Sequence, residues 1–488
     1  MAHGLAWLRE FEHGGKGFEP YASYETGREH NGDSPENDEP DSSWFHPAKR
    51  ALLWPFAVGT IDQALLSVVR VKHHFLRTFG LAGKVVILDE VHAYDMYTGS
   101  LIETLVKQLL ALRCTVIVLS ATLTGERRGR LAGNDSASST DTYPLITRRV
   151  EGAVATIPAT APAGREYDVS MANMDAKQVA TLAVDQAIHG CWVMCIANTV
   201  EHAQKWYDAV KAVMQKDSFD VGLLNSKFPA FRRDELEGEW LARLSKNSIT
   251  RPNGCVLVAT QVIEQSVDID ADCLITELAP SDMLLQRMGR VWRHDETVRP
   301  QGGKPTIRIV CGDAASASDR ETLFSALGEK SCFVYQPYIL WRTWQVWHGR
   351  ARVTLPHDIR KLIDNTYSDV AGDEPAHVRE LRVKLEAWRE TLGQYAEASL
   401  AQVLLPTKDD DEDVTTRYSD RPMQDVLLVR SVVGDGKDAT IELLDGGPQL
   451  LVYAYRKDFN ATRRLHRQLL SVPKYVFKGL AMAKLPLW

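Results

Sequence analysis

Two short apolar runs organise the first part of the chain. Val85-Val86-Ile87-Leu88 ends abruptly at Asp89-Glu90, and Val116-Ile117-Val118-Leu119 ends at Ser120-Ala121-Thr122. A helical stretch from Gly99 to Leu112 lies between them. Strand, helix, strand, with polar residues at each strand's carboxyl end, is the pattern of a buried parallel sheet. In such sheets ligands bind beyond those carboxyl ends. Gly125 to Thr142 reads as a loop dividing two domains, with Arg127, Arg128 and Arg130 followed by a Gly/Asn/Asp/Ser run. The alternation then resumes with Trp192 to Ile196, a helix after Asn198-Thr199, Val256-Leu257-Val258 and Cys273-Leu274-Ile275. Residues 320–400 read as mainly helical and rich in Trp and Arg, as at Trp341, Trp344 and Trp347. An acidic run from Asp409 to Asp413 precedes strand-like Val426 to Val429 and Ile441 to Leu444, which suggests a small C-terminal domain. Residues 1–50 are polar and Gly-rich, and Asn31 to Ser43 reads as a solvated loop.

Composition narrows the class. A chain of 488 residues has room for about three domains. Its 44% hydrophobic and 25% charged residues are those of an ordinary soluble protein. No run approaches the ~20 apolar residues of a membrane span. Met1-Ala2-His3-Gly4 opens a mixed polar stretch, so no secretory signal is read. The seven cysteines form no CxxC pair, which fits buried thiols in a reducing cytoplasm. A net charge of −7 argues against a protein that coats DNA wholesale, but a strand can still be gripped in a locally lined groove.

Four strings carry the chemistry. Asp89-Glu90-Val91-His92 follows the first apolar strand. Adjacent carboxylates there suit ATP hydrolysis: Asp89 would hold Mg²⁺ through water, and Glu90 would orient or deprotonate the attacking water. His92 completes the string and is counted with them as catalytic. Alone, such a string is as readily a solvated strand-end turn. Ser120-Ala121-Thr122 closes the next strand, where the hydroxyls of Ser120 and Thr122 can couple the acidic turn to domain movement; taken singly, a helix N-cap is the better reading. Thr260-Gln261-Val262-Ile263-Glu264, continuing to Asp268, follows a third strand. Thr260 and Gln261 are candidates for a nucleic-acid phosphate and Asp268 for ATP coupling. Gln286-Arg287-Met288-Gly289-Arg290-Val291-Trp292-Arg293 comes last. Read as a helix, it puts Arg290 and Arg293 on one face, where both reach a γ-phosphate, with Gln286 and Arg287 in ATP coupling. The alternative for an Arg-rich helix is a solvated face. Their order and placement at strand ends make chance agreement unlikely enough, below roughly 5%, to read a two-lobed ATP-driven motor.

The sequence resembles a family, the CRISPR-associated helicase–nucleases of type I interference systems, within superfamily 2. The likeness rests on Val58-Gly59-Thr60-Ile61-Asp62-Gln63, Ile87 to Asp95, Leu119 to Leu123, Asn198-Thr199-Val200, Leu224 to Phe228, Ala259 to Asp270, and Leu278-Ala279-Pro280 with Leu284 to Arg290. It covers about residues 50 to 310 well, and the C-terminal part more weakly. The resemblance implies an α/β fold of tandem RecA-like helicase domains, the first incomplete, with a helical linker and a small accessory domain. The corresponding bounds are 1–145, 146–318, 319–400 and 401–488. It further implies a 3′ to 5′ translocase and helicase on single-stranded DNA, using ATP and Mg²⁺ and recruited by an RNA-guided CRISPR surveillance complex in antiviral defence. By position, Thr60, Asn198 and Thr199 would touch the DNA backbone; a strand-end hydroxyl and a helix N-cap are the plainer readings of these residues.

Two parts of the family pattern are not found in the sequence. No GK[ST] string occurs: Gly15-Lys16, Gly83-Lys84, Gly303-Lys304 and Gly436-Lys437 all lack the hydroxyl residue. No metal-spaced His/Asp cluster marks a nuclease centre, and His357-Asp358 is an isolated pair. The expectation is a carboxyl-terminal part of such an enzyme, either truncated or split, with a separate N-terminal half carrying the phosphate loop and nuclease domain. On that expectation the chain alone is inactive. Two other functions compete: a non-catalytic nucleic-acid-binding remnant, and a superfamily 2 helicase of another system.

Overall fold

The structure is a computed structural model, and it describes residues 51–69, 74–91, 96–133, 142–215, 218–244, 253–264, 268–300, 303–368, 374–401, 423–434, 439–451 and 459–473. The chain divides into two compact units, one formed by Met1–Ala121 with Arg389–Trp488, the other by Thr122–Trp388. This partition differs from the four-part reading of the sequence.

In the first unit, strands β1 (Val85–Leu88) and β2 (Thr115–Val118) pair in parallel, Ile87 opposite Ile117. Two short helices, α1 (Ile61–Leu65) and α2 (His74–Leu81), precede them, and α3 (Met96–Ala111) is the crossover. Leu101, Ile102, Leu105 and Leu109 of α3 are fully buried, at spacings of three and four that make one apolar stripe. Parallel strands need such a crossover because their ends lie at opposite edges. The unit also holds the later strands, which form a two-stranded and a three-stranded antiparallel sheet around a small core of Ala439, Ile441, Leu443 and Leu465.

The second unit opens with α4 (Gly125–Ala132) and an antiparallel hairpin of β3 (Leu145–Val150) and β4 (Ala153–Pro158). The loop expected from Gly125 therefore begins as a helix. Thr124 caps it by accepting from Arg127 N–H, Glu126 sits in its first turn, and Gly133 ends it at φ 69°. The arginines that read as loop residues line that helix; residues 134–141 lie outside the described residues.

The body of this unit is a seven-stranded sheet. Its strands are β5 (Arg165–Ala172), β6 (Trp192–Ile196), β7 (Asp220–Leu224), β8 (Cys255–Ala259), β9 (Cys273–Glu277), β10 (Thr306–Val310) and β11 (Arg352–Leu355), in the spatial order β11-β5-β10-β9-β6-β8-β7. All pairs are parallel except β11 with β5. Strands β6, β8 and β9 are buried at every position, as a doubly covered parallel sheet requires. Alternate residues of β6 enter different cores: Val193 and Cys195 pack with α5 (Ala176–Ile188) and α6 (Val200–Val213), while Trp192, Met194 and Ile196 face the larger core. Gly222 in β7 leaves room for Trp240 of α7 (Ala230–Leu244), since a Cβ there would sit 2.2 Å from the indole.

Strand β11 falls within 319–400, the stretch expected to be a helical linker. It closes one edge of the sheet, and the helices around it, α9 (Arg320–Leu327), α10 (Pro337–Trp347), α11 (Ile359–Tyr367) and the start of α12 (Ala376–Ala401), send Leu323, Trp341, Trp347, Leu362 and Leu381 into the same core. The tryptophans are thus core residues. Among the described residues, no helix is long and apolar enough to cross a membrane.

Candidate functional site

In the first unit, β1 delivers Asp89 and Glu90 to its carboxyl end, where both are exposed. Asp89 Oδ1 accepts from Glu90 N–H at 2.9 Å, and Glu90 takes φ 54°, a left-handed backbone that non-glycine residues adopt at a cost. The chain turns sharply there, and Val91 N–H then donates to Leu119 O at 3.3 Å. That bond ties the acidic turn to the strand end carrying Ser120. His92 lies outside the described residues. Lys84, the one candidate phosphate lysine next to β1, donates instead to Leu52 O and Trp54 O, and burial lowers its pKa. Thr60 is exposed at the N-cap of α1, with no side-chain cap bond.

Thr122 falls in the second unit, where its hydroxyl is buried with no hydrogen-bond partner among the described residues. The other candidates of this unit converge on one buried polar network centred on Arg287 in helix α8 (Ser281–Met288), which is 0% exposed. Its five N–H groups meet five acceptors: Glu264 Oε1 at 2.7 Å, Thr276 Oγ1 at 2.7 Å, Glu277 O at 3.2 Å, Asn198 Oδ1 at 3.0 Å and Tyr335 OH at 3.1 Å. Burial works against the Arg287 charge, but Glu264 and Tyr335 outweigh it and hold the guanidinium charged. Burial pushes the Glu264 carboxyl up, and Arg287 opposes that rise.

Asn198 is buried as well, and each of its polar atoms is engaged. Its N–H donates to Glu277 Oε2 at 2.6 Å, its Nδ2 to Leu278 O and Ser331 Oγ, and its main-chain oxygen accepts from Gln261 Nε2 at 2.8 Å. The Asn198 side chain, expected at the DNA backbone, thus braces the loop after β6. Thr199, half-buried, caps α6 by accepting from His202 N–H. The other Glu277 oxygen lies 2.6 Å from His202 Nδ1, and that bond raises the His202 pKa. Thr260 is 2% exposed, with its N–H on Leu224 O, so its hydroxyl too is set inside the fold. Gln286 is half-buried.

Arg290 and Arg293 are not on a helix face, which corrects the helical reading. Helix α8 ends at Met288, Gly289 is its C-cap, and Trp292 at φ 53° reverses the chain. The cause is non-local: Ala271 N–H donates to Arg290 O and Trp292 N–H to Ala271 O, which draws this segment alongside the end of the Asp268 loop. Arg290 Nη2 donates to Glu264 O at 2.8 Å. Arg293 Nε sits 2.9 Å from Asp268 Oδ1, and both groups are part-exposed. Behind them Arg299 pairs with buried Asp270 and Asp272 and lies over the Trp292 ring. This clasp escaped the sequence reading, although Asp270-Ala271-Asp272 is a signal that a basic partner must be near.

The remaining chemistry is quiet. All seven cysteines are free thiols, and burial pushes Cys195 up to about 12, so it is inert as a nucleophile. No group of three or more His, Cys, Asp or Glu fit for a metal occurs among the described residues.

Residues 189–296 match the family model for the CRISPR-associated nuclease/helicase Cas3, C-terminal. The CRISPR-associated endonuclease/helicase Cas3 of Thermus thermophilus is 34% identical over 423 residues, covering 78% of this chain and 43% of the relative. A crystal structure of T. fusca Cas3-ADP superposes with a TM-score of 0.74 at 28% identity, over 88% of this chain and 52% of that one. A structure described as a CRISPR RNA-guided surveillance complex, pre-nicking, gives 0.67 at 29% identity, over 87% and 54%. The chain thus spans about half the length of the proteins it matches.

Proposed function

Because this chain belongs with the Cas3 helicase–nucleases, whose carboxyl-terminal portion it matches, we propose that it supplies motor residues of a type I CRISPR helicase that moves along single-stranded DNA at the expense of ATP. The observation that carries this is the acidic turn: Asp89 and Glu90 are exposed at the end of a parallel strand, Glu90 held at φ 54° and the turn bonded to the next strand. Asp89 fits a hydrated Mg²⁺, since an exposed carboxylate can take one through water. The ion would offset phosphate charge. Glu90 orients the attacking water, and Arg290 and Arg293 neutralise charge on the phosphates. Thr60 of the first unit, and Thr199 and the main chain around Thr260 in the second, contact the DNA backbone, with the Gln261 bond to Asn198 bracing the Thr199 and Thr260 loops. The same likeness supports, as parts of this proposal, recruitment by an RNA-guided surveillance complex and a cytoplasmic location.

The sequence holds no GK[ST] phosphate loop, and Lys84 is committed to main-chain carbonyls. Nucleotide turnover therefore requires a loop from outside these residues. The test is ATP hydrolysis by the chain, with and without single-stranded DNA, repeated with the loop-bearing half of a relative supplied in trans. DNA-stimulated turnover appearing with the added half, and lost in Glu90→Gln, is the expected result. Strong turnover by the chain alone would overturn the requirement for a supplied loop, and no turnover in either arrangement would overturn the motor reading.

A further inference from the structure

We propose that the turn from Ser331 to Tyr335 is a positioning element for the DNA-facing loops of the second unit, and that it acts through the Tyr335 hydroxyl. The inference rests on the DNA-binding reading above. The turn comes after the last parallel strand and belongs to none of the motor motifs, yet two of its side chains enter the buried network. Ser331 Oγ, 2% exposed as a residue, accepts from Asn198 Nδ2 at 2.8 Å. Tyr335 OH accepts from Gln261 Nε2 at 3.3 Å and from Arg287 Nη2 at 3.1 Å. The turn is itself fixed, since Val334 and Tyr335 N–H both donate to Ser331 O, at 3.0 and 2.9 Å.

The geometry makes this more than packing. Asn198 precedes Thr199 at the start of α6, and Gln261 follows Thr260 at the end of β8. Gln261 Nε2 bridges the two loops, with one bond to Asn198 O and one to Tyr335 OH. Without the hydroxyl, the Gln261 amide keeps its bond to Asn198 O but loses the second partner that fixes its orientation, and the bridge has more than one geometry. A buried network in which every group is satisfied holds one arrangement, whereas a partly satisfied one does not. Burial also raises the Tyr335 pKa, which keeps the hydroxyl neutral.

The test measures binding of a fluorescein-labelled oligodeoxythymidine by anisotropy, together with the thermal midpoint, for the 488-residue chain and for Tyr335→Phe, Ser331→Ala, Gln261→Ala and the Tyr335→Phe/Gln261→Ala pair. Ser331→Ala should weaken binding by about 3- to 10-fold, the scale of one neutral hydrogen bond, and Tyr335→Phe, which removes two bonds including one from the Arg287 guanidinium, by at least as much. The paired variant should lose less than the product of its two single losses, because both act on the same bridge. Parent-like affinity in Tyr335→Phe, whether or not its midpoint falls, overturns the inference while leaving the DNA-binding reading intact. Strictly multiplicative losses in the pair also overturn it. A parent chain that does not bind the oligonucleotide overturns the DNA-binding reading, and this inference with it.

Discussion

At the scale of single residues, Arg287 and Arg290 show how three positions separate two roles. Arg287 is sealed inside with five acceptors, while Arg290 remains half-buried and donates to the main chain of Glu264. Removing Arg287 leaves the Glu264 carboxylate buried and unpaired, a loss of about 3–5 kcal/mol for a broken buried ion pair. Urea unfolding of Arg287→Met should show a loss of that order; a change under about 1 kcal/mol would mean that the site relaxes to admit water. His202 gives a pH signature. Its hydrogen bond to Glu277 raises its pKa above the ordinary 6.5, against its own burial, with Lys205 opposing and Glu201 assisting. A raised folded-state pKa stabilises most below the unfolded value, so this contribution is complete below 6.5 and is lost as pH rises through the folded value. The thermal midpoint should fall over that window in the parent, and the fall should be smaller in His202→Gln.

At the scale of elements, α4 depends on its ends. Eight residues are too few for a helix to persist in water without caps or packing, and Thr124 and Gly133 supply the two caps. Replacing Thr124 by Ala should cost about 1 kcal/mol locally. Amide exchange across α4 should accelerate by about fivefold while the strands of the large sheet keep their protection; uniform acceleration would show that the helix opens with the whole unit. The turn after α8 follows another logic. Its course is set by the main-chain bonds of Ala271 to Arg290 and Trp292, and by the Arg299 pairs that hold Asp270 and Asp272 in place.

At the scale of the whole molecule, the two units differ in how well their sheets are covered. The seven-stranded sheet has helical cores on both faces, whereas β1 and β2 leave Val85 63%, Ile87 60% and Ile117 40% exposed, and Leu119 just after β2 47%. A parallel sheet is normally buried on both faces, and apolar residues gathered on an open one favour association. Light scattering should therefore rise with concentration, and Ile87→Lys should suppress the rise with little change in midpoint. Equal scattering from both chains would exclude this face as the cause.

Sequence alone determined the central strands, the acid pair and the order of the motifs. Those features are written locally: an apolar β-branched run states its own period, and the polar residue that stops it marks the strand end. Trp192–Ile196 came out residue for residue. The caps of α4 are local signals too, but the three arginines and the Gly/Asn/Asp/Ser run that follows them outweigh those caps. Tertiary structure decided which arginine is buried and which faces outward, since a helical pattern gives the phase of a side chain and not what stands opposite it. It also ended α8 before Arg290, because that stop depends on a bridge to Ala271, nineteen residues earlier in the chain by sequence number. For the same reason β11, four residues long and paired only at a sheet edge, became visible once β5 was there to receive it.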